Sequence, residues 1–543
     1  MEFDTIIVGA GPAGLQLGYF LQKGGHSYCI LERAAAAASF FDHYPHSGKL
    51  ISINKKNTGS DSYDFNLRHD WNSLLNDEKM SFTSYSDEYY PAKEDLVRYM
   101  NDFAARFKLN IQYQRNVTAI FKEGGEGSVA TGYTLHGTNS SGAIEIYKCK
   151  KLVMATGVSV PNLPQFIDDT KLKPRHYADY PKDFFRKAEN LGAFRNKSVL
   201  IIGNGNSAYE LGNILTPISS HVAIYGRRFK DWASVTHYTG DVRSVYMPFI
   251  DTFLLKSLNG INWVDGIFGI EQATPSSPYH VYYICSPSCS IKHEIYSLDG
   301  FDHVIFATGW KFDDSPFKFH VPISNGGKYP VIDENYQSRG NENLFFIGAL
   351  MHSHDYKKSS GGFIHGFRYL IEYFYHIQYD KKMDIDIFQK SDISSLVQHI
   401  SYKINYTSPM YQMYGQLGDI FYYDNTKKEF VYFNNVPKSF VMTFMNRFPS
   451  KTFFRLQLEY GEHPIKKIKE LGVRTTKNPA NAQLLRPVLS VFKSRPRNLT
   501  EKGSGAFVLE FIETVHFDED TFAIFTDEVA YNTRFARTIK GYM

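Results

Sequence analysis

A glycine loop that occurs twice constrains this chain more than any other feature. The stretches "TIIVGAGPAGLQLG" at 5–18 and "VLIIGNGNSAYELG" at 199–212 each run from an apolar strand into small residues and then into an amphipathic segment. Gly9, Gly11 and Gly14 give G-x-G-x-x-G in the first; Gly203, Gly205 and Ala208 fill the same places in the second, where alanine is tolerated. The first small residue turns the chain sharply, the second lets backbone approach a pyrophosphate, and the third lets helix pack on strand. The helix N-terminus then stabilises the anion. A chain with both loops is expected to carry two dinucleotides on two parallel-sheet layers.

The strand beyond each loop separates the two nucleotides. After the first, "PAGLQLGYFLQKGG" has helical periodicity closed by a glycine pair, and "SYCILER" reads as the next strand. Glu32 closes that strand 18 residues after Gly14, where an acid accepts hydrogen bonds from an adenosine ribose; Arg33 beside it and Val117 are assigned to the same site. After the second loop, "HVAIYGRR" ends on Arg227 and Arg228 rather than on an acid. Guanidinium groups pair with a 2'-phosphate that a carboxylate would repel, so NADPH is expected over NADH, with Asn206 and Ser207 at the start of its helix.

Two further segments place Ala-Thr-Gly after an apolar strand: "CKKLVMATGVSVPNLP", with Thr156 and Gly157, and "FDHVIFATGW", with Thr308 and Gly309. The pairing resembles two-dinucleotide flavoproteins, in which these are crossings between an FAD domain and an inserted NADPH domain. "NENLFFIGA" resembles their returning strand, with Gly348-Ala349 where that family often has Gly-Asp. The expected fold class is therefore α/β, a two-dinucleotide-binding-domain flavoprotein. The expected division is an FAD-binding domain from 1–165 and 300–380, an NADPH-binding domain at 166–299, and a mixed α/β C-terminal unit at 381–543. The last is rich in Tyr and Phe and is expected to cover a substrate cavity.

From residue 1 to about 375 the chain resembles the FAD-dependent oxidoreductase domain proteins, on "SFFDHYPHSGKLISINK", "FNLRHDWNSLL", "WASVTHYTGDVRS", "DTFLLKSLNG" and "KKSSGGFIHGFRY". More broadly it is similar to class B flavoprotein monooxygenases. Their F-x-G-x3-H-x3-[FY] fingerprint is half present, in His176 and Tyr180, and "DHVIFATGW" resembles a motif of their N-hydroxylating members. The resemblance implies an FAD enzyme to which NADPH delivers a hydride. Dioxygen then adds at flavin C4a, and one oxygen passes to a nucleophilic N, S or C atom of a small molecule. It also implies flavin contacts at Asn66, Arg68, His69, Asp70 and Trp71. Gly361, Gly362 and Phe363 are expected to aim a helix N-terminus at the flavin. His365, His237 and Trp232 are the candidate catalytic side chains.

Three rival readings remain open. Thiol-disulfide chemistry would need Cys285 and Cys289, yet neither segment in which flavin disulfide reductases carry a redox pair has a cysteine; "YYICSPSCSIKHEIYSL" reads as two strands joined by a turn. A single-component flavin halogenase is the second, the W-x-W-x-I-P signature of two-component halogenases being absent, and a partner-binding scaffold would keep FAD without turnover. Formal net charge is +4 with no run of five like charges, which excludes a nucleic-acid footprint. No stretch approaches 18 uninterrupted apolar residues, so membrane insertion is not expected. The chain passes from Met1 straight into a strand and holds 4 cysteines, the pattern expected of a cytoplasmic protein. "HSHD" at 352–355 lacks a matching ligand set, so no metal is expected.

Overall fold

The structure, a computed structural model, describes residues 1–124, 131–164, 175–226, 231–256, 260–272, 274, 277–285, 295–324, 326–380, 383, 385–389, 392–448, 452–460, 485–496, 507–516, 536–537 and 539–540. Glu2–Val8 lies between Tyr28–Leu31 and Ile144–Met154, parallel to both, with Val8 opposite Leu31 on one side and Met154 on the other. Strands covered on both faces need apolar side chains pointing both ways, so "TIIV", "YCIL" and "LVM" read as continuous rather than alternating runs. A meander through Gly132–Thr138 and Asn116–Glu123 extends the sheet on one side. Leu344–Phe346 joins it parallel to Ile144–Met154, so the chain leaves this sheet and returns to it about 190 residues later. Pro12–Lys23 packs as a helix on the sheet, and Ile364–Tyr375 lies against that helix, with Phe20 and Tyr375 stacked at 5.4 Å.

The second glycine loop opens from Ser198–Ile202, which is flanked in parallel by His221–Gly226 and His303–Phe306. Gly260–Glu271 continues the parallel run, and Tyr279–Cys285 and Ile295–Phe301 add antiparallel strands. Cys285 ends its strand opposite Val264, as two paired strands require, whereas Cys289 lies outside the described residues.

The C-terminal part is a six-stranded antiparallel sheet running Ile385–Gln389, Glu429–Pro437, Leu417–Asp424, Thr452–Glu459, Arg486–Pro496, Phe507–His516. Helix Ile393–Tyr406 lays Leu396, Val397, Ile400 and Ile404 into a cluster with Phe421, Tyr432 and Phe454, which explains the aromatic density of this region. Among the described residues no helix is long and apolar enough to cross a membrane.

Candidate functional site

The two loops are built alike. Gly9 has φ of +106°, and a side chain there would bring Cβ to 2.9 Å from the Ala155 carbonyl; Gly203 has φ of +115°, and its Cβ would collide with the Ala307 carbonyl. Each Ala-Thr-Gly segment is thus the backstop of a glycine loop, which accounts physically for the recurrence of both patterns. At Gly14 a Cβ would meet the carbonyl of Gly9, the close helix-strand approach expected of the third position; the Ala208 methyl is accommodated in the core. Gly11 and Gly205 face open space, with nothing within 4 Å of an added Cβ. Those are the positions at which a pyrophosphate needs bare backbone.

Gly11 lines two neighbouring cavities, of about 150 and 410 Å³. The smaller is bounded by Gly9, Glu32, Arg33, Val117 and Thr156. Buried Glu32 ties this region together: Oε2 accepts from the Ala10 amide at 2.8 Å, and Oε1 from the Ala34 amide at 2.9 Å and the Ser39 hydroxyl at 3.2 Å. A carboxylate has about four acceptor positions, so Oε2 keeps capacity for a ribose hydroxyl. The larger cavity takes Gly11, Thr156 and Gly157 from the first unit and Asn206, Ser207 and Glu210 from the second, so the helix N-termini of both loops open into one chamber. Phe40, Phe41, Tyr44, Trp71 and Trp310 give it aromatic walls, and Gly362, Phe363 and His365 supply the start of helix Ile364–Tyr375.

Few polar groups face this chamber, and several lack partners. His365 is 2% exposed and neither ring nitrogen has a hydrogen-bond partner. Burial, with the charges of Arg368 and Arg243, holds it well below the usual imidazole range, so it is neutral. Its ring stacks on Trp71 at 4.3 Å, and the Arg243 guanidinium lies 4.9 Å from the same indole, with Nη1 unpartnered. The Arg243 amide donates to Asn206 Oδ1 at 3.0 Å, fixing that stretch against the second loop. Thr156 Oγ1 is also unpartnered. Glu210 accepts from the Ser47 amide at 2.5 Å and the Tyr177 hydroxyl at 2.8 Å, while burial pushes its carboxyl upward.

Other residues picked out in the sequence sit elsewhere. Asn66 accepts from the Thr58 hydroxyl, and Arg68 donates to the carbonyls of Thr407 at 2.8 Å and Ile404 at 2.6 Å. His69 packs near Phe65, and Asp70 accepts from the amides of Asn72 and Ser73, both at 3.0 Å. None of these four lines either cavity; they shape the loop that presents Trp71. Gly348 abuts Ala13, and Gly361 donates its amide to Asp355 at 2.7 Å. Thr308 donates to the Asn162 carbonyl at 2.5 Å, and the Gly309 carbonyl accepts the Asn162 amide at 2.9 Å. Trp232 caps the short helix Ala233–Thr236 and does not reach the chamber. His237 stacks on Tyr460 at 3.7 Å, its carbonyl accepting from the Tyr414 hydroxyl at 2.6 Å. Burial pushes its imidazole down to about 4, and His237 does not line the chamber. Arg227 and Arg228 lie outside the described residues.

"HSHD" is engaged with protein groups: His352 joins Asp355 at 2.7 Å and the Tyr238 hydroxyl at 2.8 Å, and His354 joins the Asp333 carbonyl at 2.9 Å. No residue beyond Phe367 lines the larger cavity, so among the described residues the C-terminal unit does not roof it. That unit instead braces the Trp71 loop through the carbonyls that Arg68 reaches, and through Gln412, which donates to the Arg68 carbonyl at 2.6 Å. Arg243, Glu210 and Tyr177 escaped the sequence reading. Arg243 had a usable signal as the one cation closing "THYTGDVR", whereas nothing local marks a helix glutamate or a loop tyrosine as cavity-facing.

Two glycine loops opening on one chamber define a two-dinucleotide oxidoreductase, and residues 6–348 match the pyridine nucleotide-disulphide oxidoreductase family. The chain is also 33% identical over 482 residues to FAD-dependent oxidoreductase domain-containing protein 2 of Mus musculus, a match covering 85% of this chain and 71% of the mouse protein. It belongs to that family and is an FAD-dependent oxidoreductase, with FAD and a pyridine nucleotide as cofactors. The fold is shared with a flavin-containing monooxygenase from Stenotrophomonas maltophilia, at TM-score 0.50 and 18% identity, over 70% of this chain and 99% of that one. It is shared equally with a bacillithiol disulfide reductase from Bacillus cereus, at TM-score 0.50 and 18% identity, over 70% and 100%. Fold alone therefore does not separate oxygen chemistry from sulfur chemistry.

Proposed function

We propose that the protein is an NADPH-dependent, single-component FAD monooxygenase that oxygenates a small nucleophilic molecule, and that the 410 Å³ chamber is its active site. The observation that carries this reading is the composition of the chamber. Both loop helices open into it, nine of its lining residues are Phe, Tyr or Trp, and no cysteine lines it among the described residues. Cys29 and Cys149, the cysteines described with side chains, are buried in the first sheet, and burial pushes both thiols up to about 12, which leaves them unreactive.

Gly9, Gly11 and Glu32 would hold the adenosine and pyrophosphate of FAD along the smaller cavity, with Thr156 at the passage into the larger one. Bound FAD would supply two-electron redox chemistry and reactivity toward dioxygen. The protein contributes position and dryness. Asn206 and Ser207 would bring the reduced nicotinamide into the chamber from the second loop. Phe40, Tyr44 and Trp310 give it apolar walls that would limit the access of water once the cofactors are bound. The amides at the start of helix Ile364–Tyr375 favour negative charge on whatever lies against them. Neutral His365 offers one donor and one acceptor nitrogen at the same wall.

The test is rapid mixing of NADPH-reduced protein with oxygenated buffer, monitored by absorbance. A transient band distinct from both oxidised and reduced flavin, with hydrogen peroxide released when substrate is absent, supports the reading. Direct single-phase reoxidation together with NADPH-driven reduction of a disulfide refutes it.

A further inference from the structure

Arg243 presents a cation that its surroundings do not balance. The residue is 8% exposed, and its guanidinium makes no ion pair among the described residues. Burial acts on it most and lowers its pKa; next come the phenols of Tyr90, Tyr89 and Tyr246, with Tyr90 also hydrogen-bonded to it, and none of these is a carboxylate. A buried charge without a counter-ion is held against its desolvation, and an anion arriving beside it offsets that cost. Nη1 has no partner, and Trp71 packs at 4.9 Å, which orients the planar guanidinium and leaves Nη1 to donate to an arriving carboxylate. His365, stacked on the same indole with both nitrogens unpartnered, supplies a second polar contact at the same wall.

We propose that Arg243, Trp71 and His365 form a carboxylate-recognition subsite, and that the substrate class is a flat aromatic molecule carrying one carboxylate. The assignment rests on the chamber being the active site. The aromatic walls seat the ring, and Arg243 sets which end of the molecule points away from the reacting atom. The two pyrophosphates have anion sites of their own at the bare backbone of Gly11 and Gly205, and a reduced flavin has the start of helix Ile364–Tyr375. Arg243 is left for an anion that neither loop serves.

The experiment uses the full-length, FAD-loaded protein in its oxidised state, with phenylacetate and its neutral isostere phenylacetamide as probes, titrated by flavin difference absorbance and by calorimetry. Phenylacetate is expected to bind about tenfold or more tightly than phenylacetamide, as a charge-assisted pair requires. Arg243→Gln should erase that preference while FAD content and NADPH affinity stay within about twofold. Arg243→Lys, which keeps the charge without the fork, should retain part of it, and guards against misfolding of the first variant. Equal binding of the two probes overturns the proposal. So does loss of FAD, or selective weakening of NADPH, in Arg243→Gln, since either assigns the cation to a cofactor. The probes bind without turnover, so a failed oxygen reaction would remove the monooxygenase reading and leave this measurement standing as a separate result.

Discussion

Removing the guanidinium of Arg368 tests whether the Trp71 wall of the chamber is held from behind. Arg368 is fully buried, and it donates Nη1 to the carbonyls of Asp70 at 3.0 Å and Ser73 at 2.9 Å and Nη2 to that of Leu67 at 2.7 Å. Leu67 keeps a second donor in Gln412 at 3.2 Å, so Arg368→Met strips two carbonyls of these bonds and weakens the arrangement at a third. A buried polar group left without its partner costs roughly 1–3 kcal/mol, so the expected loss is about 3–5 kcal/mol. The assay is urea unfolding monitored by flavin fluorescence, which reports release of FAD from the unit containing this loop. NADPH-driven flavin reduction by the folded variant should also slow, because Trp71 and His365 shift together. Arg368→Lys should recover part of the loss, since an ammonium can reach some but not all of the carbonyls. A loss below about 1 kcal/mol in Arg368→Met, with unchanged reduction kinetics, would refute the bracing argument.

Gly9→Ala should give folded protein with little FAD, because its Cβ would press on the Ala155 carbonyl; full occupancy by absorbance would contradict the loop geometry. Glu32→Ala should weaken FAD without changing NADPH affinity, and calorimetry showing equal losses would point to unfolding instead. Arg227→Ala with Arg228→Ala should erase most of the preference for NADPH over NADH, about 1–3 kcal/mol of charge-assisted bonding read from the ratio of kcat/KM values; an unchanged ratio moves the 2'-phosphate site elsewhere. His46 is pushed by burial from 6.5 down to about 4, so its neutral form belongs to the folded state. Its contribution is fully present above about pH 6.5 and is lost as pH falls toward 4, by about 3 kcal/mol across that window. His46→Gln, which keeps a donor for the Tyr177 carbonyl, should flatten the stability-pH curve there; an unaltered slope in urea titrations would exclude His46 as its source.

The glycine loops were legible because their requirement is local. A positive φ and a backbone contact admit one residue type, so Gly9 and Gly203 announce themselves in the string of letters. The same holds for the parallel strands, whose double-sided burial writes itself as unbroken apolar runs. The chamber was less legible because its polar residues come from segments far apart in the chain. Glu210 is one of many helix glutamates until the fold sets Ser47 and Tyr177 against it. Flavin contacts at Asn66, Arg68, His69 and Asp70 are what the resemblance to related flavoproteins implies for the segment beside Trp71. In the structure Asn66, Arg68 and Asp70 turn to backbone groups and His69 packs near Phe65, because a tight irregular loop must satisfy its own carbonyls and amides before it can offer any to a ligand.

That division of labour gives the C-terminal sheet a role despite its distance from the chamber. Arg68 reaches the carbonyls of Ile404 and Thr407 at the end of helix Ile393–Tyr406, and Arg368 reaches those of Leu67, Asp70 and Ser73 from the helix at the chamber. The Trp71 loop is thus pinned on both sides by buried arginines that do not themselves line the chamber. An aromatic wall held this way is positioned by two units at once, so a change in how the C-terminal sheet seats would reach Trp71 through Arg68 without passing through either nucleotide loop. Arg68→Met should therefore leave FAD content near that of the parent while altering NADPH-driven flavin reduction, whereas equal loss of both would mean that Arg68 holds the fold rather than the wall.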